Sequence, residues 1–175
     1  MGTIFVDNLE PQSGTSLTLG SSGDTIALTS GAKTSGFGKI GQIQSANFTG
    51  DLSTSSTSYV ASTITDTITP TSTSSKILIL INGGRSSFGG GEAEGSSNLY
   101  YQVGSGSFNS ITNMKLSENV QAGGYAKTPL SFSFVHSPNS TSALSYKVYF
   151  KTSGNTYFLN SASSNINITL MEILD

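Results

Sequence analysis

The stretch Ser13–Thr29, SGTSLTLGSSGDTIALT, contains the same short phrase twice. The first copy, SGTSLTL, begins at Ser13, and the second, SGDTIAL, begins nine residues later at Ser22. Each copy joins a Ser-Gly turn signal to a segment in which apolar and small polar residues alternate. The stretch therefore predicts a short β-strand that occurs twice in succession.

Strands of this kind are too small to be stable alone. Burying two aliphatic side chains contributes about 3–5 kcal/mol, whereas fixing the backbone costs about 1–2 kcal/mol for each residue. Repeated units that cannot bury their apolar face alone usually bury it against neighbours. The repeat therefore favours a thin stem in which several copies of the chain intertwine, and disorder is the alternative.

The composition of the 175-residue chain favours exposed β-structure. Charged residues make up 10% of it, against about a quarter in a typical domain. The net charge is −2 and the eight basic residues are dispersed, which predicts no nucleic-acid partner. The chain has no cysteine, which excludes disulfides and thiolate metal sites, and burial between subunits is the expected source of stability.

The sequence predicts neither a signal peptide nor a membrane span. Ile4, Phe5 and Val6 form a short apolar run that no cationic segment precedes. The longest apolar run, Ile77–Ile81, is far too short to cross a bilayer. We therefore expect synthesis in the host cytoplasm without membrane insertion, and release within a virion would reconcile this with a role outside the cell.

Three segments are predicted along the chain. Residues 1–12 end at a proline turn and are either the first strand of the stem or a peg that docks on a larger assembly. Residues 13–39 form the repeat-containing stem and a neck rich in glycine and serine, and residues 40–175 form a head built of strands. The apolar residues of the docking segment are Ile4, Phe5, Val6 and Leu9.

Two segments of the head predict contrasting strands. Tyr59–Thr69 alternates regularly and ends at Pro70. Lys76–Ile81 is almost continuously aliphatic, so that both of its faces should be covered. We expect it to be a central strand, buried between sheets or between subunits.

Later segments complete a predicted antiparallel sandwich. Tyr146–Lys151 alternates, with Lys147, Tyr149 and Lys151 on its wet face. Ile166–Leu174 changes its apolar face near Met171, which predicts a bulge or burial on both sides. About eight strands, with turn signals about every eight to twelve residues, predict an all-β sandwich or jelly roll.

Candidate catalytic and metal-binding residues are few. His136 is the only histidine, and no serine lies in a GxSxG elbow. Glu92 and Glu94 lie in the glycine-rich stretch Asn82–Ser97, which predicts a solvated loop rather than a Ca²⁺ site. Asp66 falls on the apolar face of its strand, where either a paired structural carboxylate or a residue at an oligomer axis is expected rather than a catalytic acid. We therefore predict a non-enzymatic protein without cofactor or metal.

Binding is the remaining function, and the tyrosines of the head are the candidates for it. Tyrosine offers a large amphipathic contact at low entropic cost, as surfaces that bind sugars or proteins require. Ordinary strand positions are the alternative for each of them. The candidate receptor-binding residues are Tyr100, Tyr101, Tyr125, Tyr157, Arg85 and Asn98.

Several phrases of the chain resemble short fibre proteins of tailed bacteriophages, particularly those that infect marine and freshwater bacteria. The opening VDNLEPQSGTSLTLGSSGDTIALTSGA (residues 6–32) is similar to the start of such fibres. The phrases SSTSYV (55–60), ITPTSTSSKILILI (68–81) and NITLMEI (167–173) resemble their head domains. The resemblance implies a homotrimeric virion appendage without enzymatic activity, in which an intertwined β stem carries a jelly-roll-like head.

The resemblance also implies partners. The head would bind a host surface glycan or protein, and residues 1–12 would dock on another virion protein, either a tail or baseplate adaptor or the major capsid protein. Only about a dozen residues precede the repeat, whereas host-range tail fibres generally carry a large N-terminal adaptor domain. The alternative is therefore a capsid decoration protein or head fibre anchored on the major capsid protein.

Overall fold

The computed structural model describes residues 39–88, 94–120, 127–162 and 164–174, and residues 112–120 by their backbone alone. Over these residues the chain forms β-strands and no helix, which confirms the all-β prediction. No helix that could cross a membrane occurs in this part of the chain. The chain divides into two units, Met1–Phe37 and Gly38–Asp175, and the predicted docking segment and stem lie outside the described residues.

Ten strands build the described part of the chain. They are β1 (Ile40–Phe48), β2 (Leu52–Thr54), β3 (Val60–Ile68), β4 (Lys76–Phe88), β5 (Glu94–Val103), β6 (Asn109–Val120), β7 (Thr128–His136), β8 (Leu144–Thr152), β9 (Tyr157–Asn160) and β10 (Ile166–Ile173). One sheet has the order β1-β10-β4-β9-β2, with β7 also paired to β4, and the other has the order β3-β8-β5-β6.

The strand pairing is nested. With the short β2 and β9 set aside, β1 pairs with β10, β3 with β8, β4 with β7 and β5 with β6, all antiparallel. This is the pairing of one long hairpin that has been rolled up, and the β10–β4 and β8–β5 pairs join its halves into two sheets. Such an arrangement is a jelly roll, which confirms the predicted jelly-roll-like sandwich.

The core lies between the two sheets because one face of each strand is apolar. Ile77, Ile79 and Ile81 of β4 have no exposed surface. They belong to the same buried cluster as Tyr146 and Val148 of β8, in the other sheet. The predicted alternation of β8 and the predicted central position of β4 are both confirmed.

One carboxylate is buried at the end of β10. Glu172 is fully buried, and its oxygens accept hydrogen bonds from Gln42 Nε2 at 2.7 Å and from the Thr71 backbone N–H at 2.6 Å. Burial acts to raise the pKa of Glu172, but the hydrogen bonds from Gln42 and Thr71 outweigh it and lower the pKa below its usual value. Glu172 therefore ties β1 and the β3–β4 loop to β10.

Asp66 is the other inward carboxylate, since it pairs with the buried Tyr146. Its Oδ1 accepts a hydrogen bond from the Thr67 N–H at 2.8 Å. Its Oδ2 is buried and has no hydrogen-bond partner among the residues that the structure describes. The predicted pairing partner of Asp66 is therefore not found in that part of the chain.

The predicted loop Asn82–Ser97 is wrong at both of its ends. β4 continues to Phe88, and β5 already begins at Glu94. Gly83 and Gly84 have positive φ angles of 101° and 73°, and a Cβ at Gly83 would collide with the carbonyl oxygen of Asn165. Glycine at these positions therefore bends a strand and does not end it.

A side chain from a distant strand holds this bend. The Asn160 Oδ1 accepts a hydrogen bond from the Arg85 N–H at 3.2 Å, and its Nδ2 donates to the Gly50 carbonyl oxygen at 2.8 Å. Asn160 is 1% exposed, so these bonds are shielded from water. The amide group lets β4 cross from its pairing with β10 to its pairing with β9.

Candidate binding face

Aromatic and cationic side chains meet on the outer face of the β3-β8-β5-β6 sheet. Tyr146, Val148 and Phe150 of β8 point into the core, so Lys147 and Tyr149 point outward. In β5, Leu99 is fully buried, and Asn98 and Tyr100 lie on the opposite face. Tyr149 pairs with Asn98, and Lys147 pairs with Tyr100. The register of β8 against β5 therefore assembles this face.

Four aromatic rings form a continuous series there. Tyr100 stacks on Tyr149 with ring centroids 4.0 Å apart and an interplanar angle of 28°. Tyr59 meets Tyr100 edge to face at 6.1 Å, and Phe108 lies 6.0 Å from Tyr149. All four side chains are partly exposed. Their mutual contacts fix the rings before any ligand arrives.

A lysine lies at each end of this series. Lys151 Nζ is 4.9 Å from the centroid of the Tyr59 ring, and Lys147 Nζ is 4.9 Å from the centroid of the Phe108 ring. At these distances an ammonium group is attracted by the face of the ring. We call this set the aromatic–lysine face; in order of contact it comprises Lys151, Tyr59, Tyr100, Tyr149, Phe108 and Lys147.

Asn98 adds a polar group beside the rings. Its Nδ2 donates a hydrogen bond to Ser110 Oγ at 2.7 Å, which fixes the side chain. Its Oδ1 is buried and has no hydrogen-bond partner among the described residues. A buried amide oxygen without a donor is costly.

The side chains of this face combine apolar surface with positive charge. Partly exposed rings on a rigid sheet present apolar surfaces for stacking, and two ammonium groups attract carboxylates. Within the described residues, no three His, Cys, Asp or Glu side chains are grouped so that they could hold a metal ion.

His136 has a structural environment in the described part of the chain. Its Nδ1 lies 2.8 Å from the Tyr146 hydroxyl, and the Tyr101 ring meets its ring edge to face at 4.6 Å. Burial raises the pKa of Tyr146 and lowers the pKa of His136. Tyr146 therefore stays a neutral phenol and His136 a neutral imidazole, and one hydrogen bond joins the Tyr146 hydroxyl to His136 Nδ1. The hydrogen bond goes to a tyrosine, and not to the serine and aspartate that a triad requires.

The predicted binding residues are distributed over several places. Tyr100 and Asn98 lie on the aromatic–lysine face, whereas Tyr101 is inside the sandwich beside His136. Arg85 is in the other sheet, on β4. Five predicted residues lie outside the described part of the chain: Ile4, Phe5, Val6, Leu9 and Tyr125.

Tyr157 requires a correction. Its side chain has no exposed surface and packs against the rings of Phe88 and Phe150, with centroids 5.2 Å and 6.2 Å away. A Cβ at Gly95 would collide with its ring, so glycine there makes room for it. Tyr157 is therefore a core residue in this structure.

Five members of the face were not among the predicted binding residues, namely Tyr59, Phe108, Lys147, Tyr149 and Lys151. A signal for three of them exists in the sequence, because the alternation of β8 places Lys147, Tyr149 and Lys151 on its wet face. Their meeting with β5 depends on a pairing between residues about fifty positions apart, such as Asn98 and Tyr149. Strand periodicity does not give that register.

Comparisons with known proteins give a weak structural likeness. No protein-family model matches the chain, and no curated protein matches it. A crystal structure of the VP2 subviral particle of infectious bursal disease virus is similar over 75% of this chain and 33% of the viral chain, with a TM-score of 0.42 and 12% identity. The Gx strain of the same virus matches 77% of this chain and 43% of the viral chain, with a TM-score of 0.41 and 9% identity. The chain thus spans less than half of the length of either viral chain.

Proposed function

We propose that the chain is a non-enzymatic phage virion protein, a homotrimeric tail fibre whose head binds glycan on the host surface. The observation that carries the proposal is the aromatic–lysine face, in which four partly exposed rings contact one another in series, with Tyr100 stacked on Tyr149 and a lysine at each end. The jelly-roll head presents this face, and residues 1–12 dock the fibre on the virion.

Stacked rings on a sheet suit a sugar chain. The apolar face of a sugar ring packs on an aromatic ring, and its hydroxyls need hydrogen-bond partners at the side, where Asn98 lies opposite Tyr149. Lys147 and Lys151 favour a glycan that carries carboxylates. Because β8 and β5 hold Tyr149 and Tyr100 in place, binding orders few side chains, which reduces its entropic cost.

Three copies of one weak site strengthen binding by avidity. Linked sites raise the effective concentration of the second and third contacts, without any new contact within a site. A flat face with partly exposed rings is a weak site when alone. The trimer therefore forms part of the binding mechanism in this proposal.

Glycan binding by the full chain tests the proposal. We would screen the fluorescently labelled protein on an array of acidic and neutral glycans, and then compare Tyr100→Ala and Tyr149→Ala with the wild type. Losing one stacked ring should weaken binding about tenfold, which corresponds to about 1.4 kcal/mol. The matched control is Ser131→Ala, at an exposed strand position on the other sheet. Unchanged binding by both tyrosine variants would exclude this face as the site.

The position on the virion needs a separate experiment. Immunogold labelling of intact particles with antibody against residues 40–175 should place gold at the tail if the fibre is a tail fibre. Gold spread over the capsid would favour the alternative, a decoration protein or head fibre anchored on the major capsid protein, and would make shell contacts by Ile4, Phe5, Val6 and Leu9 the main function.

A further inference from the structure

The outer face of the other sheet is apolar at one end. Along the pairing of β1, β10, β4 and β7, Ile43 lies opposite Met171, Met171 opposite Leu78, and Leu78 opposite Val135. In the next row, Ile40 lies opposite Ile173. We call these six residues the apolar face: Ile40, Ile43, Leu78, Val135, Met171 and Ile173.

This face is not covered within the described part of the chain. Ile43 is 55% exposed, Ile40 is 49% exposed and Val135 is 46% exposed. The other three side chains are partly exposed. Three large aliphatic side chains that are each about half exposed and lie in two adjacent rows form a patch, which distinguishes them from the scattered apolar residues of ordinary surfaces.

The same face explains two features of the sequence. The aliphatic run of β4 predicts cover on both sides, yet only its inner residues are fully covered in the single chain. In β10 the apolar residues change to the other face at Met171. The pairing of β10 with β4 has no register shift, so a bulge in that pairing is not the reason for the change. Both strands are apolar on both sides at this end, as expected if a second surface covers the outer one.

The surroundings of the apolar face suit another copy of the chain. The following rows carry hydroxyls and amides together with Leu80, and their polar groups bond to one another: Ser45 Oγ lies 3.2 Å from Thr169 Oγ1, and Asn167 Nδ2 donates to Asn47 Oδ1 at 3.0 Å. In all the outer rows together, Lys76, which lies opposite Ile173, is the one charged residue that the structure describes. In a symmetric oligomer like charges of neighbouring copies are brought together, so an uncharged surface with an apolar centre and a polar rim fits best.

The connection to the rest of the chain points the same way. Residues 1–38, for which the repeat predicts an intertwined stem, enter the head at the start of β1, and Ile40 is both the first residue of β1 and a member of the apolar face. A stem shared by several copies would bring their Ile40 ends together. The apolar end of the sheet is therefore the end that copies of the head would turn to each other.

We infer that the apolar face is the surface through which heads of neighbouring copies pack in the oligomer. The inference rests on the homo-oligomer of the proposed function, but it uses a different sheet from glycan binding. It assigns one outer face of the jelly roll to self-association and leaves the other to the ligand.

Single cysteines in the full chain test this inference, because the sequence has none of its own. We would compare Ile43→Cys and Val135→Cys with Thr63→Cys, a matched exposed position on β3 in the other sheet. In the oligomer, a thiol at the apolar face should react with maleimide about tenfold more slowly than one at position 63, because a covered thiolate is poorly accessible. A short bis-maleimide should join copies through position 43 or 135 and not through position 63.

A second measurement does not depend on the added thiols. The double variant Ile43→Ser with Val135→Ser changes two exposed side chains and should fold as a single head does. It should lower the melting temperature of the oligomer and make it depend more steeply on protein concentration, whereas Thr63→Ser should change neither.

The outcomes separate this inference from the proposed function. If the chain sediments as an oligomer but its cysteines at positions 43 and 135 react as fast as the one at 63, the head interface is excluded and the fibre proposal stands. If the chain is a monomer, both fail. If these positions are free in the isolated oligomer and protected only in virions, another virion protein is the occupant and the inference is overturned.

Discussion

The two outer faces of the jelly roll differ in chemistry although the same alternation builds both. On the β3-β8-β5-β6 sheet, four rings lie in series between Lys147 and Lys151. On the β1-β10-β4-β7 side, Ile43, Met171, Leu78 and Val135 form an aliphatic row among hydroxyls and amides. Aromatic rings with cations beside them can lie in water, whereas a contiguous aliphatic row is the kind of surface that protein contacts usually cover.

This contrast shows that burial within a single chain does not explain every aliphatic residue of a strand. Leu78 and Leu80 of β4 are as aliphatic as Ile77 and Ile79, but only the latter are fully buried. Leu78 and Leu80 are partly exposed, and Leu78 belongs to a contiguous apolar patch, which marks an interaction surface more often than a single exposed leucine does. The outer leucines are therefore most simply explained by an assembled state.

The largest expected effect on stability is a difference between substitutions on the two sides of β4. Ile79→Ala should lower the free energy of unfolding by about 2–5 kcal/mol, because it leaves a cavity in the shared core beneath both faces. Leu80→Ala, one residue later on the outer side, should cost less than about 1 kcal/mol in the separated chain. Urea denaturation of both variants measures the difference. Equal losses would mean that the outer side is already packed within one chain.

The next effect concerns the carboxylate beneath the apolar face. Glu172→Gln should cost about 2 kcal/mol, because hydrogen bonds from Gln42 and Thr71 to a charged acceptor become bonds to a neutral one. The lowered pKa of Glu172 means that its stabilisation is complete above the ordinary value of 4.5 and is lost as the pH falls through the folded pKa.

Denaturation curves of the wild type and Glu172→Gln at a series of pH values test this. The two curves should differ most at neutral pH and converge in acid. A constant difference at every pH would show that Glu172 contributes through packing alone and not through its charge.

A third change affects the aromatic–lysine face alone. Replacing Lys147 and Lys151 together by glutamine should leave stability within about 1 kcal/mol, as usual for surface cation–π pairs, and should remove most of the salt dependence of acidic-glycan binding. Lys76→Gln, at the edge of the apolar face, is the matched control and should leave the salt dependence intact. Binding titrations at low and high salt distinguish the variants; equal salt slopes for both would contradict the assignment of the two faces.

The smallest effect is the titration of His136 between the sheets. Burial lowers the pKa of His136 below the ordinary 6.5, so the fold favours the neutral ring, which is hydrogen-bonded to the Tyr146 hydroxyl. Stability from this group is therefore complete above pH 6.5 and declines as the pH falls toward the folded pKa. His136→Gln should flatten this part of the pH profile of the melting temperature, and an unchanged profile would assign the decline to other groups.

Much of the fold could be predicted from local patterns. The alternation of β8 and the aliphatic run of β4 correctly gave a half-buried strand and a central strand. The prediction for Asn82–Ser97 failed because its glycines indicated a loop. In the structure, Asn160, about 75 residues away in sequence, hydrogen-bonds to the Arg85 backbone and keeps the strand continuous. A contact over that separation leaves no trace in the local composition.

The candidate site was predictable only in part, for a related reason. Periodicity predicts on which face of a strand a side chain lies, and so it placed Tyr149 on the same face as Lys147 and Lys151. It does not state which residue of another strand lies opposite, so Tyr149 could not be joined to Tyr100. Tyr157 was predicted to be a binding residue but lies in the core. A tyrosine near a hairpin turn has the same local sequence pattern whether its ring is buried or exposed to solvent.

The nested pairing has a consequence for how the head is made. β10 lies between β1 and β4, so β1, the first of the described strands, has no hydrogen-bonded neighbour in its sheet until residues 166–173 have been synthesised. Contacts between such distant segments are slow to form, and until then the inner isoleucines of β4 face water. We therefore expect the head to complete its folding only after β10 has been translated, when this strand pairs with β1 and β4 in one late step.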